Sequence, residues 1–285
     1  MSECLLTDPP GRSYHAYYGP DKNLMPTDEI EQDRLDIHHE IMLLVASNTL
    51  HQAPVSPANR VLDLGTGTGI WAIEYADAHP EAEVIGIDLS PIQPSWVPPN
   101  CRFEVDDFEL DWTYQKNSFD FIHGRNVVPS IKDLPGTLKQ VKDHLKPGGY
   151  IELAELGWEM FSDDNTLKDS WAPKRCFDLG REAMQKLGRP VPTKEWLEQT
   201  LRDAGFVDVV VKTWKHPMGG WPKNKDLKQA GKLFVVSTET GYHAYHMTLL
   251  TRVHGWTSEK ADELCKQAHA AHCDTKSGVH AYSLL

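Results

Sequence analysis

Residues 61–76 read VLDLGTGTGIWAIEYA, and the fold is decided there. Val61, Leu62 and Leu64 form a short apolar run that carries an acid, Asp63, near its end. Glycines follow at alternate positions, Gly65, Gly67 and Gly69, and a helical pattern starts at Ile70. Glycine lets a backbone turn tightly and approach a bound group with no side chain in the way. A helix that starts at once presents free amide N–H groups. Strand, glycine turn and helix form the opening unit of a parallel α/β sheet. The spacing is G-x-G-x-G, one residue short of the turn that grips a dinucleotide pyrophosphate.

Outward from this stretch the same alternation continues. RVLDL at 60–64, EVIGID at 83–88, CRFEV at 101–105, FDFIH at 119–123 and YIELAEL at 150–156 read as strands. Residues 70–78 and 134–145 read as helices, the second ended by Pro147-Gly148-Gly149. Strands alternating with helices predict a mainly parallel sheet covered on both faces. Upstream, residues 1–26 are rich in Pro, Gly and Tyr and are expected to form an irregular arm. A helix is expected from Thr27 to about residue 50, where Ile30, Leu35, Ile37, Ile41, Leu44 and Val45 recur at helical spacing. Downstream, residues 164–187 and 193–204 are expected to be helical and to form a cap over the sheet's carboxyl edge. VDVVVKTW at 207–214 reads as a strand, and 226–250 and 258–272 as two more helices. The closing VHAYSLL reads as a short last strand.

The acids give the expected ligand its chemistry. A carboxylate beside a pyrophosphate would repel it. Asp63 instead suits a ligand with a cationic amine, which favours S-adenosylmethionine over NAD. Asp88 ends the second strand, about 20 residues after the glycine turn, where a carboxylate can hold ribose hydroxyls. Asp106 and Asp107 end the third strand and precede Phe108. There an adenine amino group finds a carboxylate and its ring an apolar neighbour. Each acid alone reads equally well as a cap or turn residue. Three of them at successive strand ends, in register with one glycine turn, point to a common crevice.

Composition narrows the classes further. Lys+Arg number 29 against 41 Asp+Glu, a net charge of −12, which argues against a protein built to grip phosphate backbones. No apolar stretch approaches the roughly 18–20 residues of a membrane span. The first 20 residues lack the basic start and apolar run of a signal peptide. The five cysteines are scattered with no CxxC pair, which suits free thiols rather than a zinc or redox site. A cytoplasmic protein is expected, with the nucleus left open, and no partnership with nucleic acid or membrane. A homodimer is left open.

Taken together, VLDLGTGTG, Asp88, DDF at 106–108, FDFIHGRN at 119–126 and LKPGGYIELAE at 145–155 resemble the class I S-adenosylmethionine-dependent methyltransferases. The tyrosine-rich arm with Arg34-Leu35-Asp36 and His39, then GIWAIEYAD and GGYIELAELG, resembles the LaeA-like methyltransferases of filamentous fungal secondary metabolism. The resemblance implies a Rossmann-like, seven-stranded sheet with an N-terminal helical lid over residues 1–50. The methyltransferase domain would run over 51–285, with a helical cap around 157–204, the whole forming one compact domain. It also implies roles in holding the cofactor. Gly65, Thr66, Gly67 and Gly69 would lie along the methionine part, with Asp63 toward the amine. Asp88 would hold the ribose with Leu89 beside the adenine, and Asp106, Asp107 and Phe108 would contact the adenine. Arg125 and Asn126 would lie near the sulfonium, and Tyr18, Arg34 and His38 would close over the cofactor. VHAYSLL departs from the family pattern, which ends in a long hairpin.

The acceptor side is read from fewer residues. Glu155, near the end of the fifth strand, is a candidate catalytic group and equally a structural carboxylate. His123 is a candidate catalytic group and, on balance, a core histidine. Trp158, Trp171, Trp214, Trp221, Tyr242, Tyr245 and His246 in the second half could line a pocket or simply pack. His243 and His246 lack the i, i+4 spacing of a helical metal pair, so no metal is expected. The activity implied is methyl transfer to a small-molecule acceptor, with a carboxylate or hydroxyl oxygen favoured over nitrogen. A LaeA-like regulator acting through protein partners is the alternative.

Overall fold

Side chains alternate across a strand, so an apolar run buried on both faces sorts its residues between two cores. Val61, Val84 and Phe121 pack with Trp71, Ala72, Tyr75 and Ala76 in one core. Their neighbours Leu62, Ile85 and Ile122 pack with Leu64, Ile87, Phe119 and Val141 in another. A sheet with helices on both faces results.

The computed structural model describes residues 5–8, 12–15 and 25–285. In chain order its elements are β1 (Leu5–Asp8), β2 (Arg12–His15), α1 (Glu29–Val45), β3 (Arg60–Leu64), α2 (Ile70–Ala78), β4 (Glu83–Asp88), β5 (Cys101–Val105) and β6 (Phe119–Arg125). Then follow α3 (Leu134–His144), β7 (Leu145–Ala154), α4 (Ala172–Lys186), α5 (Lys194–Asp203), β8 (Lys215–Pro217), α6 (Lys225–Thr248), α7 (Ser258–Cys273) and β9 (Tyr282–Leu284). The chain packs as two units, one of residues 49–155 with 192–212, the other of 1–48, 156–191 and 213–285.

The first unit holds the main sheet, of order β5-β4-β3-β6-β7. All neighbouring strands in it run parallel. The chain leaves β3 toward one edge and returns to β6 on the other side of β3, so the strand order reverses between them. Ligands of open α/β sheets bind at the carboxyl ends beside such a reversal. On α3, Leu134, Leu138 and Val141 form a buried stripe at helical spacing, and Asp133 caps the helix by accepting from the Gly136 N–H at 3.0 Å. α5 is capped by Thr193 and packs Trp196, Leu197 and Leu201 against the core of Val127, Val128 and Leu138.

The second unit is mainly helical. Cys176, Tyr242, Met247, Leu250, Ala261, Leu264 and Cys265 form one of its cores. Ile41, Val45, Met160, Met218, Ala230 and Phe234 form another. β8 and β9 pair antiparallel in a small ribbon, with His216 opposite Ser283. β1 and β2 pair antiparallel as well.

The fold class follows the expectation, with several corrections. The main sheet has five strands among the described residues, not seven. The run 207–214 forms no strand. Asp208 sits in the left-handed region (φ +54°), and Val207 and Val210 are 82% and 76% exposed. β-branched composition favours a strand only where a partner pairs and covers it. The closing residues do form a strand, β9, but its partner is β8 and not the main sheet. Two helices are shorter than their patterns suggested. α1 stops at Val45, followed by Ser47 and Asn48 with φ of +61° and +58°. α4 starts at Ala172 with Pro173 in its first turn, after Asn165 at φ +59°. Of the stretch 157–204, α4 belongs to the helical unit and α5 to the sheet unit.

Candidate functional site

The carboxyl edge of the main sheet is built from four strand ends. The glycine turn follows β3, Asp88 ends β4, Asp106 follows β5, and Asn126 follows β6. Gly65 and Gly69 have φ of +62° and +82°, a backbone region that L side chains avoid. Space also demands glycine at both. A Cβ on Gly65 would lie 2.6 Å from Val127 Cγ1, and one on Gly69 would lie 2.3 Å from Phe103 Cζ. Gly69→Ala is expected to cost about 2 kcal/mol from the strained φ and the displaced ring. Urea denaturation of the two proteins checks it.

The turn is tied to the end of β4. The Thr66 N–H donates to the Ile87 carbonyl at 3.0 Å and the Gly67 N–H to Asp88 Oδ2 at 2.9 Å. The Ser90 N–H donates to Asp88 Oδ1 at 2.9 Å. Each Asp88 oxygen takes one of these bonds, and a carboxylate offers about four acceptor positions. The Leu89 N–H bonds this carboxylate as well, so capacity for one ligand hydroxyl remains. Burial pushes the Asp88 carboxyl up to about 6, against the lowering effect of the Gly67 N–H. Gln93 braces the turn from outside by donating to the carbonyls of Gly67 at 2.7 Å and Ser90 at 3.0 Å. No pattern in the sequence singles Gln93 out.

At the next strand end, the Asp106 N–H continues the ladder to the Asp88 carbonyl at 3.0 Å. Asp106 Oδ1 accepts from the Asp107 N–H at 2.8 Å, and buried Asp107 accepts from the Glu109 N–H at 3.0 Å. Phe108 comes next to the turn, its Cε1 3.8 Å from where a Gly65 Cβ would stand. Arg125 ends β6. Asn126 follows at φ +56°, its N–H donating to the Ala154 carbonyl at 3.0 Å.

Two further acids, Asp63 and Glu155, are held by buried partners. Asp63 is 3% exposed, and both its oxygens are engaged. Oδ2 accepts from the Thr66 hydroxyl at 2.6 Å, and Oδ1 pairs with His123 Nδ1 at 2.7 Å. His123 is itself buried and stacks on Trp71, with ring centroids 3.7 Å apart and planes 6° apart. Glu155, 7% exposed, accepts on Oε1 from the N–H groups of Val127 at 3.0 Å and Val128 at 3.1 Å. Its Oε2 is buried with no partner, and burial pushes this carboxyl up to about 8.

The sheet unit thus brings together Asp63, Gly65, Thr66, Gly67, Gly69, Asp88, Leu89, Asp106, Asp107, Phe108, His123, Arg125, Asn126 and Glu155. Arg34 and His38 belong to the helical unit. Arg34 is buried there, its Nη2 donating to Glu31 Oε1 at 2.6 Å and its guanidinium 4.9 Å from the Tyr245 ring centre. Glu31 and Tyr245 hold that guanidinium charged against the desolvation of burial. Tyr18 lies outside the described residues. Of the aromatic candidates, Tyr242 is buried and hydrogen-bonded to His272 Nε2 at 2.8 Å, and Trp158 contacts the rings of Tyr245 and His246.

The glycine turn and the acids at the ends of β4 and β5 suit a ligand with a ribose and an adenine. Comparison with known proteins decides the family. The methyltransferase-domain family matches residues 35–211, more than half of the chain. This chain belongs to that family. Methyltransferase pytC of Aspergillus terreus is 43% identical over 253 residues, 88% of this chain and 77% of the relative. The secondary metabolism regulator LAE1 of Cochliobolus heterostrophus is 35% identical over 280 residues, 96% of this chain and 90% of the relative. The protein-methionine methyltransferase laeA of Emericella nidulans is 32% identical over 279 residues, 96% and 73% of the two chains. This methyltransferase is therefore related to proteins of fungal secondary metabolism. S-adenosylmethionine is the methyl donor that goes with that membership and with the cradle described above. Among the described residues, no helix is long and apolar enough to cross a membrane.

Proposed function

We propose that this methyltransferase methylates an oxygen of a small-molecule acceptor in fungal secondary metabolism, and that the oxygen belongs to a carboxylate. Glu155 carries the reading. Its Oε1 already receives two backbone N–H groups, so when the side chain is protonated the hydrogen belongs on Oε2. With the carboxyl pushed up to about 8, it is mostly a neutral acid at neutral pH. A neutral acid donates a hydrogen bond and is a poor base. It suits an acceptor that is already an anion, whereas an alcohol or phenol needs its proton removed. When bound, the cofactor supplies an electrophilic methyl on a sulfonium. An acceptor carboxylate oxygen would form the new bond to that carbon while the C–S electron pair left with sulfur. Aligning the two reactants and excluding water are then the protein's main tasks.

The test is turnover, read as S-adenosylhomocysteine release, against a panel of carboxylic acids, phenols, alcohols and amines. Methyl esters are the expected products, and turnover confined to amines would overturn the reading. A protein acceptor is the second reading, favoured by the relative named a protein-methionine methyltransferase. Methyl label appearing in protein while the whole panel stays inert would select it. We place the enzyme in the cytoplasm. Cys101, Cys176, Cys265 and Cys273 are free thiols, and three of them are buried, which suits a reducing compartment.

A further inference from the structure

His123 does not present itself as a group that meets the acceptor. It is 1% exposed, and its place is set by partners on both sides. A carboxylate can only accept, so the 2.7 Å contact with Asp63 Oδ1 puts a hydrogen on His123 Nδ1. The other Asp63 oxygen accepts from the Thr66 hydroxyl at 2.6 Å. Thr66 stands inside the glycine turn, with its N–H on Ile87 and its carbonyl accepting from the Gly69 N–H at 2.9 Å. The His123 ring lies flat on Trp71 in the first turn of α2, and the Trp71 indole N–H donates to the Leu50 carbonyl at 2.7 Å. A continuous path therefore runs from β6 through Asp63 to the middle of the turn.

We propose that His123 is a positioning residue for the cofactor: acting through Asp63 and Thr66, it holds the glycine turn in the shape that receives S-adenosylmethionine. The proposal rests on the cofactor assignment above. Without the Nδ1 hydrogen, a buried carboxylate oxygen loses its donor. Asp63 then rotates toward another donor, and its hold on the Thr66 hydroxyl loosens. A looser turn has to be ordered when the ligand binds, and affinity falls.

Two substitutions separate positioning from packing. His123→Phe keeps an aromatic ring on Trp71 and removes the donor. His123→Asn removes the ring and keeps an N–H near the same place. Calorimetry with S-adenosylmethionine is expected to show binding about tenfold weaker for His123→Phe and within about threefold of wild type for His123→Asn. The melting temperature of the unliganded protein should follow the opposite order, since Asn gives up the stacked ring. A purely packing role predicts that Phe binds normally. Thr66→Val and Thr66→Ser read the same link from its other end, should His123→Phe fail to fold. The valine variant is expected to bind weakly and the serine variant normally. Wild-type affinity in His123→Phe or Thr66→Val, or a His123→Asn protein as weak as His123→Phe, overturns the proposal. If the wild type itself does not bind, the cofactor assignment falls first and the proposal with it.

Discussion

Asp88→Ala is expected to show no measurable binding of S-adenosylmethionine by calorimetry where the wild type binds. The loss should exceed about a hundredfold, because the substitution removes two sets of hydrogen bonds at once. One set is internal: the N–H groups of Gly67 and Ser90, each 2.9 Å from an Asp88 oxygen. The other is the remaining acceptor position, which a ribose hydroxyl would use. Acidity gives a second reading of the same site. Burial raises this carboxyl from its ordinary value of 3.8 to about 6. In the unliganded protein, the stability associated with a raised acid is full below its unfolded value and is lost as pH rises through about 6. Cofactor affinity runs the other way, since hydroxyl donors are best received by the ionised form. Wild-type affinity should therefore weaken as pH falls through about 6. Equal affinity at about pH 5 and about pH 7, or an alanine variant within about tenfold of wild type, would remove Asp88 from the cofactor site.

What could be read ahead of the structure was local or periodic. The alternation of Val61, Leu62, Asp63 and Leu64 and the glycine turn carry their geometry in adjacent residues, because φ and side-chain direction are set there. Asp88 was legible for a related reason, since a parallel strand-turn-helix-strand unit has a nearly fixed length. The partner of Asp63 was not legible. His123 stands 60 positions away, opposite Asp63 in a register that forms only when β6 returns beside β3. The same limit explains the stretch 207–214. Its valines carry strand propensity, but pairing is a property of two segments, and here a left-handed Asp208 interrupts the run. Arg34 shows a third kind of limit. Its motif drew attention to the helix, yet Glu31 one turn away and Tyr245 in α6 together define its surroundings.

Glu155→Gln tests the acceptor chemistry and is expected to separate from the wild type most clearly at alkaline pH. The Glu155 carboxyl is raised from 4.5 to about 8 by burial, which outweighs the two N–H groups of Val127 and Val128. A raised acid stabilises the fold fully below its unfolded value and loses that contribution as pH rises through its folded value. Glutamine keeps an oxygen for both N–H groups and carries no proton to lose. The two proteins should be equally stable near pH 4.5, and by about pH 8 the glutamine variant should be ahead by on the order of 3–5 kcal/mol. Glu155→Ala should instead be destabilised by about 2–4 kcal/mol near pH 4.5, because two buried N–H groups lose their acceptor, and this deficit should close as pH rises through about 8, since alanine also has no proton to lose. Kinetics then decide the role. If the neutral acid donates to a carboxylate acceptor, kcat/KM falls as pH rises through about 8, and the glutamine variant keeps its activity without that fall. If Glu155 is instead a base for an alcohol or phenol, the rate rises through the same pH and glutamine abolishes it. The two profiles have opposite slopes, so one titration of wild type and variant assigns both the role of Glu155 and the protonation state of the acceptor.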